Sequence, residues 1–440
     1  MPSAPGRREL LAVAAVVVLA GCSGAFLPDA GGNDLAGELG EVDNVTYDQA
    51  IEVDPEDGFT EAELDRLVKR AMARIEVVRE LEYKRPVDVE LLTREEYREW
   101  RAERSTSGTA PAWENQIWRG LFLIGEDRDA TAVFDESLGD AVQGFYRPGQ
   151  DSLVIVSDAE QPTVSKATLV HELVHALQDQ QFGLSYGHDT RDAQAAYDTL
   201  IEGEADLVTR LYLQERCEEW SCVRPEVDTG AADDDPAISD RGVRLALAQP
   251  YVEGVGFVDG VRADGGWAAV DDLHENPPQT TAATIYPDRP IDATPTEVSI
   301  PDRAADGWER FDHEPVGDTL GAGALYTMLA SNGVIEEGDP TEYAHPAVEG
   351  WAGDRFVPYR NGEAYGYVWE LAWERPADAE EFADAYRGLL ESQGGLARGA
   401  ADYVIADGPF AGAYRLTVAG DRVRIVNAPD RDALGAVHSR

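Results

Sequence analysis

Basic charge is what this sequence has least of. Lys69, Lys84 and Lys166 are its only lysines, and Lys and Arg together number 37 against 84 Asp and Glu, a formal net charge of −47 over 440 residues. Binding a nucleic-acid backbone needs a basic patch that displaces counterions, so nucleic acid is excluded as a partner. No polybasic stretch is present to hold an anionic membrane surface. Cysteine is scarce as well, occurring at Cys22, Cys217 and Cys222, and two or three cysteines at these spacings do not make a zinc site by themselves. Neither an EF-hand loop nor a repeated Asp-rich nonapeptide occurs, which removes the calcium-binding reading of an acidic chain. The acid does not signal disorder. Hydrophobic residues make up 43% and aromatics 8%, and apolar runs recur from end to end, so the carboxylates are expected on the surface of a folded protein.

Long apolar runs are missing too. The run from Leu10 to Ala20 is too short to cross a bilayer, which takes about 20 residues. Arg7-Arg8 precede it and Gly21-Cys22 follow, so it reads as a signal peptide with a positive n-region and a small-residue processing site. Leu19-Ala20-Gly21-Cys22 resembles a lipobox, in which the cysteine is lipidated and becomes the mature N-terminus, and the paired arginines loosely resemble a twin-arginine export signal. The expectation is an exported protein on the extracellular face of the cell membrane, touching the membrane only through lipid on Cys22. An ordinary cleaved secretory signal is the alternative. Cys217 and Cys222 then remain as a possible disulfide, provided the helix holding Cys217 ends before Cys222. The acidic, arginine-over-lysine composition resembles proteins of halophilic archaea, whose carboxylates keep the surface hydrated where salt screens charge. Activity and stability are accordingly expected to need molar salt.

Five consecutive segments are expected: the signal peptide at 1–22, an acidic flexible spacer at 23–46, a catalytic core at 47–223, a Pro/Gly-rich connecting region at 224–310, and a C-terminal α+β domain at 311–440. Thr60 opens a helix whose apolar face runs Leu64, Leu67, Val68, Ala71, Ile75, Val78 and Leu81. Pro86 to Leu91 alternates as a strand, and Thr93 to Trp100 begins another helix. Trp118 to Ile124 fits either helix or strand. Val142 to Tyr146 and Leu153 to Val156 flank Arg147-Pro148-Gly149-Gln150, a hairpin signal. Helices are expected from about Val164 to Gln181, from about Ala193 to Arg216, and near 241–270. In the last third, strands at Tyr365 to Trp373, Tyr403 to Ala406, Gly412 to Val418 and Arg422 to Asn427 surround a helix from Pro376 to about Gln393, an α+β unit that reads as half of a split βαβ arrangement.

The strongest chemical signal is His171-Glu172-Leu173-Val174-His175 on the Val164 to Gln181 helix. Residues four apart share a helical face, so both imidazoles can reach one metal ion. Neutral imidazole suits Zn2+, and three protein ligands leave a fourth position for water. Glu172, beside the first ligand, is placed to take a proton from that water. This is the HExxH pattern of metallopeptidases, and the chain holds only seven histidines to make it from. A third ligand is required. The metzincin histidine position is occupied by Gln181, which excludes that class. His188 is possible by sequence distance. The segment Leu200-Ile201-Glu202-Gly203-Glu204-Ala205-Asp206 resembles the third-ligand helix of gluzincins. The resemblance implies Glu202 as ligand and Asp206, one turn on, as the residue that fixes a ligand histidine. Ile201 replaces the usual Asn, and Glu204 offers a competing carboxylate, so Glu204 and His188 stay open as alternatives.

A longer resemblance is to an exported zincin-like family and, closest in kind, a haloarchaeal surface-lipoprotein group. It is carried by His171 to Phe182, by the acidic string at Glu202, by Gly265-Gly266-Trp267, by Pro277-Pro278-Gln279-Thr280-Thr281, and by Gly350-Trp351-Ala352-Gly353-Asp354-Arg355. It implies an α+β fold: a zincin-like core, with a mixed sheet, an active-site helix and a second ligand helix, followed by the C-terminal α+β domain. In such cores an edge strand lies above the metal and pairs with extended substrate, a place for Phe145-Tyr146 or Leu153 to Val156. Relatives often carry a histidine where Tyr286 stands. Tyr286 is expected to be packed in a loop, with hydroxyl donation to a developing oxyanion as the alternative. Trp351 and Asp354 read as structural turn residues. His274, His313 and His345 stand alone, without a partner at ligand spacing. The function expected is a lipid-anchored zinc metallopeptidase acting on peptide or protein. The alternatives are a non-catalytic surface binding protein on the same scaffold, or a hydrolase of another surface polymer.

Overall fold

The computed structural model describes residues 38–51, 58–105, 111–139, 142–159, 164–184, 187–216, 240–335 and 342–439, with the single positions 35, 161, 162 and 220. The signal segment, most of the spacer, Cys22, Cys217 and Cys222 lie outside the described residues. Among the described residues no helix is long and apolar enough to cross a membrane. The fold is mixed α+β.

Two short strands, β1 (Glu41–Val42) and β2 (Val45–Thr46), form a hairpin. Helix α1 (Glu61–Arg79) starts at Thr60 with a capping box: the Thr60 hydroxyl accepts from the Glu63 N–H, and the Glu63 carboxylate accepts from the Thr60 N–H. β3 (Asp88–Leu92), α2 (Arg94–Ser105), α3 (Pro111–Gly120) and α4 (Ala130–Gly139) follow. The ambiguous run Trp118 to Ile124 closes α3 and then turns, with the Leu121 and Leu123 N–H groups donating to the Ile117 and Trp118 carbonyls. The expected hairpin forms from β4 (Gly144–Arg147) and β5 (Ser152–Val156), with Tyr146 opposite Leu153 and Gly149 supplying a positive φ of 71° at the turn. β3 lies parallel to β5, and the order β3-β5-β4 leaves β4 at a sheet edge.

Helix α5 (Lys166–Phe182) is capped by the Ser165 hydroxyl, which accepts from the Thr168 N–H. It is buried from Thr168 to Gln178 without interruption, the mark of a helix packed on all sides. Helix α6 (Arg191–Arg210) runs on into a π-helical stretch, Leu211–Arg216, where the sequence pattern predicts a single α-helix to Arg216. Helix α7 (Arg241–Glu275) is longer than its pattern suggests and breaks inside at Gly266 (φ 71°, ψ −168°), the middle of the Gly265-Gly266-Trp267 string. The remaining elements are α8 (Thr281–Ile285), β6 (Glu309–Arg310), α9 (Gly321–Ser331), β7 (Trp351–Asn361), β8 (Ala364–Trp373), α10 (Pro376–Ser392), β9 (Leu396–Ala397), β10 (Asp402–Ile405), β11 (Gly412–Ala419), β12 (Arg422–Ala428) and α11 (Leu434–Val437).

The chain divides into two compact units that are not consecutive in sequence. One comprises Met1–Arg104, Ser137–Leu184 and Glu204–Ser239; the other comprises Ser105–Glu136, Ser185–Gly203 and Asp240–Arg440. This differs from the consecutive division expected above. The boundary falls within α6, between Gly203 and Glu204; hydrophobic periodicity marks a helix but not which core each of its turns joins.

In the first unit, Tyr97, Val142, Phe145, Val154 and Val156 form a core cluster beside the three-stranded sheet, and α1 and β4 pack on α5. In the second unit, β6-β7-β8-β12-β11-β10-β9 form a seven-stranded sheet in which every neighbouring pair is antiparallel. β8 and β11 both run antiparallel to β12 and so run parallel to each other with β12 between them; α10, which joins this side of the sheet, packs on all three. That is the split βαβ arrangement with the β9–β10 hairpin added. Alternate residues cover opposite faces: Val357, Tyr359, Val368, Val426 and Ala428 gather with Leu434 and Val437 of α11, whereas Phe356 packs against Tyr367 with tilted rings and against Trp369 edge to face. The turn expected at Trp351 and Asp354 is instead the first half of the eleven-residue strand β7. Its Gly, Asp and Pro residues have low strand propensity, and pairing with β8 overrides it.

The Asp354 carboxylate is a hub in the second unit. It accepts from the Leu320 N–H (3.0 Å), the Gly321 N–H (3.0 Å), the Trp351 indole (3.1 Å) and the Trp369 indole (3.2 Å), so it holds the start of α9 against β7 and β8. Asp192, at the first turn of α6, accepts through one oxygen from the Thr281 N–H (2.9 Å) and hydroxyl (2.6 Å); its other oxygen is buried without a hydrogen-bond partner. The Thr280-Thr281 and Gly-Trp-Ala-Gly-Asp-Arg strings therefore serve as anchors of this unit. Burial raises the Asp192 carboxyl to about 7; the Thr281 hydrogen bonds offset part of that, and nearby Asp354 and Asp318 add to it. A carboxyl that binds its proton more tightly when folded stabilises the fold fully below its unfolded pKa, near 4, and that contribution is lost as pH rises through about 7. Asp192→Asn, which mimics the protonated form, is expected to become more stable relative to the wild type by up to about 4 kcal/mol between pH 4 and pH 8. Urea unfolding at the two pH values checks this; a difference that does not change with pH contradicts it.

Gly203 of α6 and Gly254 of α7 meet backbone to backbone, and a Cβ on either would overlap the main chain of the other. Because main chain cannot rotate away, Gly203→Ala is expected to destabilise by about 3 kcal/mol despite the better helix propensity of alanine. A chemical-denaturation midpoint equal to that of the wild type would contradict this packing.

Candidate metal centre

Helix α5 presents His171 and His175 one turn apart, with their rings nearly perpendicular (86°) and their centroids 4.6 Å apart. Helix α6 carries Gln194, Asp198, Glu202 and Asp206 at four-residue intervals along one face. His171, His175 and Glu202 are all buried and each offers a ligand atom within 4.8 Å of the other two. Among the described residues this is the group of His, Cys, Asp and Glu side chains that could hold a metal ion.

Hydrogen bonds decide which ring nitrogens are available. His171 Nδ1 donates to Asp206 Oδ1 at 2.9 Å. An ionised carboxylate only accepts, so Nδ1 carries the hydrogen and Nε2 the lone pair. His175 Nδ1 meets Gln178 Oε1 at 2.8 Å, and Gln178 Nε2 donates to Glu204 Oε2 at 2.7 Å, which fixes the amide orientation and leaves the His175 Nε2 lone pair exposed to the site as well. The two Nε2 atoms stand 3.0 Å apart. Two buried lone pairs at that distance repel unless a cation lies between or beside them, and two nitrogens bound to one tetrahedral zinc at ~2.0–2.1 Å stand roughly 3.3 Å apart. The residues present thus fit a zinc ion: two neutral imidazoles aimed at one point, one carboxylate, and the outer ring nitrogens engaged by acceptors.

Glu172 has 0% exposure. Its Oε2 accepts from the Tyr146 N–H at 2.9 Å, which ties the carboxylate to the edge strand β4. The Tyr146 hydroxyl donates to Asp179 Oδ2 at 2.9 Å, and the Gly149 N–H donates to the same oxygen, so the hairpin is pinned to α5 at two places along the helix. Burial raises the Asp198 carboxyl to about 7; the Gln194 amide offsets this in part, and the Glu202 charge one turn away reinforces it.

Of the alternative ligands, Glu204 lies outside the group; its carboxylate accepts from Gln178 and pairs with Arg79 of α1. His188 also lies outside it, with its ring against Tyr197 at 4.5 Å between centroids and its N–H near Gln194 Oε1. The Tyr286 hydroxyl donates to the His345 carbonyl at 3.2 Å, a loop contact, and burial pushes its pKa up to about 12. His313 stacks on Trp113 at 4.1 Å. The sequence pattern missed Gln178, Arg79 and the Tyr146 N–H. Gln178 had one signal: it is a polar residue three places after His175, on the side of the helix that carries both histidines. Arg79 had none, because its partner is 125 residues away.

A family described as a domain of unknown function, DUF8575, matches residues 309–438. That interval takes in β6 to β12, α9 to α11 and the Asp354 hub, and none of the candidate ligands. No curated protein and no solved structure matches the chain.

Proposed function

We propose that the chain is an exported, lipid-anchored zinc metallopeptidase built on a zincin-like core. The observation that carries the reading is the convergence of His171, His175 and Glu202 beside the buried, hydrogen-bonded Glu172. His171, His175 and Glu202 would hold the ion, and Asp206 and Gln178 orient the two imidazoles. Bound there, zinc supplies Lewis acidity for the scissile carbonyl and acidifies a water. Glu172 accepts the proton of that water and passes it to the leaving amine nitrogen. The Tyr146 N–H holds Glu172 Oε2 in place. Three candidate ligands among the described residues support a catalytic site, since closed structural zinc sites take four. The acidic surface supports an enzyme that works in brine, where screening relaxes repulsion of acidic substrates.

The full burial of Glu172 favours a second reading, a surface binding protein on the same scaffold with a metal but no turnover. Cleavage of casein-like and peptide substrates in molar salt, with and without chelator, separates the two. Chelator-sensitive cleavage supports the peptidase; full zinc loading with no cleavage across the substrate set supports the binding protein.

A further inference from the structure

A buried hydrogen-bonded chain stands behind the second histidine. His175 Nδ1 meets Gln178 Oε1 at 2.8 Å, Gln178 Nε2 meets Glu204 Oε2 at 2.7 Å, and Glu204 Oε1 pairs with Arg79 Nε. Gln178, Glu204 and Arg79 are all buried. We propose that Gln178, Glu204 and Arg79 are positioning residues that set the tautomer and orientation of His175 and through it the affinity for the metal. The proposal rests on the zinc reading above.

The direction of the chain follows from what each group can do. The guanidinium only donates and the ionised Glu204 only accepts. The Gln178 NH2 must therefore face Glu204, because the flipped amide would set its carbonyl against a carboxylate. Its carbonyl is then left for His175, whose Nδ1 must carry the hydrogen. The chain thus transmits a single donor–acceptor sense from Arg79 on α1 to the ring nitrogen on α5, and away from water such a chain resists reorganisation. The two ligand histidines are held differently. His171 faces a carboxylate directly, whereas His175 faces a neutral amide with its carboxylate one step back and already paired with Arg79. Held this way, Glu204 orients a ligand and does not compete for the metal.

Two variants test this in the full chain. Gln178→Met keeps the length and removes both hydrogen bonds. Arg79→Met with Glu204→Gln removes the ion pair without leaving a buried unpaired charge, and leaves an amide at 204 that no longer dictates how Gln178 is turned. Zinc dissociation constants are measured by competition with a chromophoric chelator, and the His175 tautomer is read from imidazole 15N shifts in metal-free protein, with circular dichroism confirming folding. Gln178→Met is expected to weaken zinc binding about 10–100-fold and to mix the His175 tautomers; the double variant is expected to move both readouts the same way by less. Zinc affinity within twofold of the wild type in both variants, with His175 still protonated at Nδ1, overturns the proposal. A wild type that binds no zinc overturns the metal reading instead, and the 15N shifts still judge the chain.

Discussion

Glu172→Gln is expected to lower turnover by about 10²–10⁴-fold while zinc stays bound. The substitution keeps the shape of the side chain, and its amide oxygen can still accept from the Tyr146 N–H that Glu172 Oε2 now accepts at 2.9 Å. What it removes is the capacity to take a proton. Since Glu172 is not among the three converging ligands, metal content should not change. The matched measurement is the rate on the best peptide substrate beside zinc content in the same preparation. Undiminished cleavage would remove Glu172 from the chemistry, and loss of zinc would show that the residue serves the metal instead.

Removal of Glu202 is expected to have the second large effect. Structural zinc sites with four ligands bind with roughly 10–16 kcal/mol, so one ligand accounts for about 3 kcal/mol, or two orders of magnitude or more in affinity. Glu202→Ala should therefore weaken zinc binding at least 100-fold. His188→Ala should leave it within about twofold, because His188 packs on Tyr197 and is not in the converging group. A zinc titration of both variants against the wild type checks the pair of expectations together. Equal losses would reopen the choice of third ligand.

Local signals were legible in the sequence where the physics is local. The helix start at Thr60, the hairpin turn at Gly149 and the helical spacing of His171 and His175 each involve residues within a few places of one another, and each forms where its pattern puts it, although α1 ends at Arg79, short of the Leu81 counted on its apolar face. Asp206, one turn beyond Glu202 on α6, meets His171. The less legible features depend on partners far along the chain. Gly203 is glycine because Gly254 crosses it, and Glu204 faces Gln178 because Arg79 lies behind it; neither constraint leaves a trace in periodicity. β7 escaped notice because its low-propensity residues are held as a strand by β8 and by the Asp354 hub. The interleaving of the two units escaped for the same reason, since α6 reads as one amphipathic helix whichever core its turns join.

The measurement closest to the central claim is the zinc content of the protein purified in molar salt, by elemental analysis. One zinc per chain is expected, falling on Glu202→Ala and unchanged on Glu172→Gln. Less than about half a zinc per chain in a folded preparation supplied with the metal would contradict it.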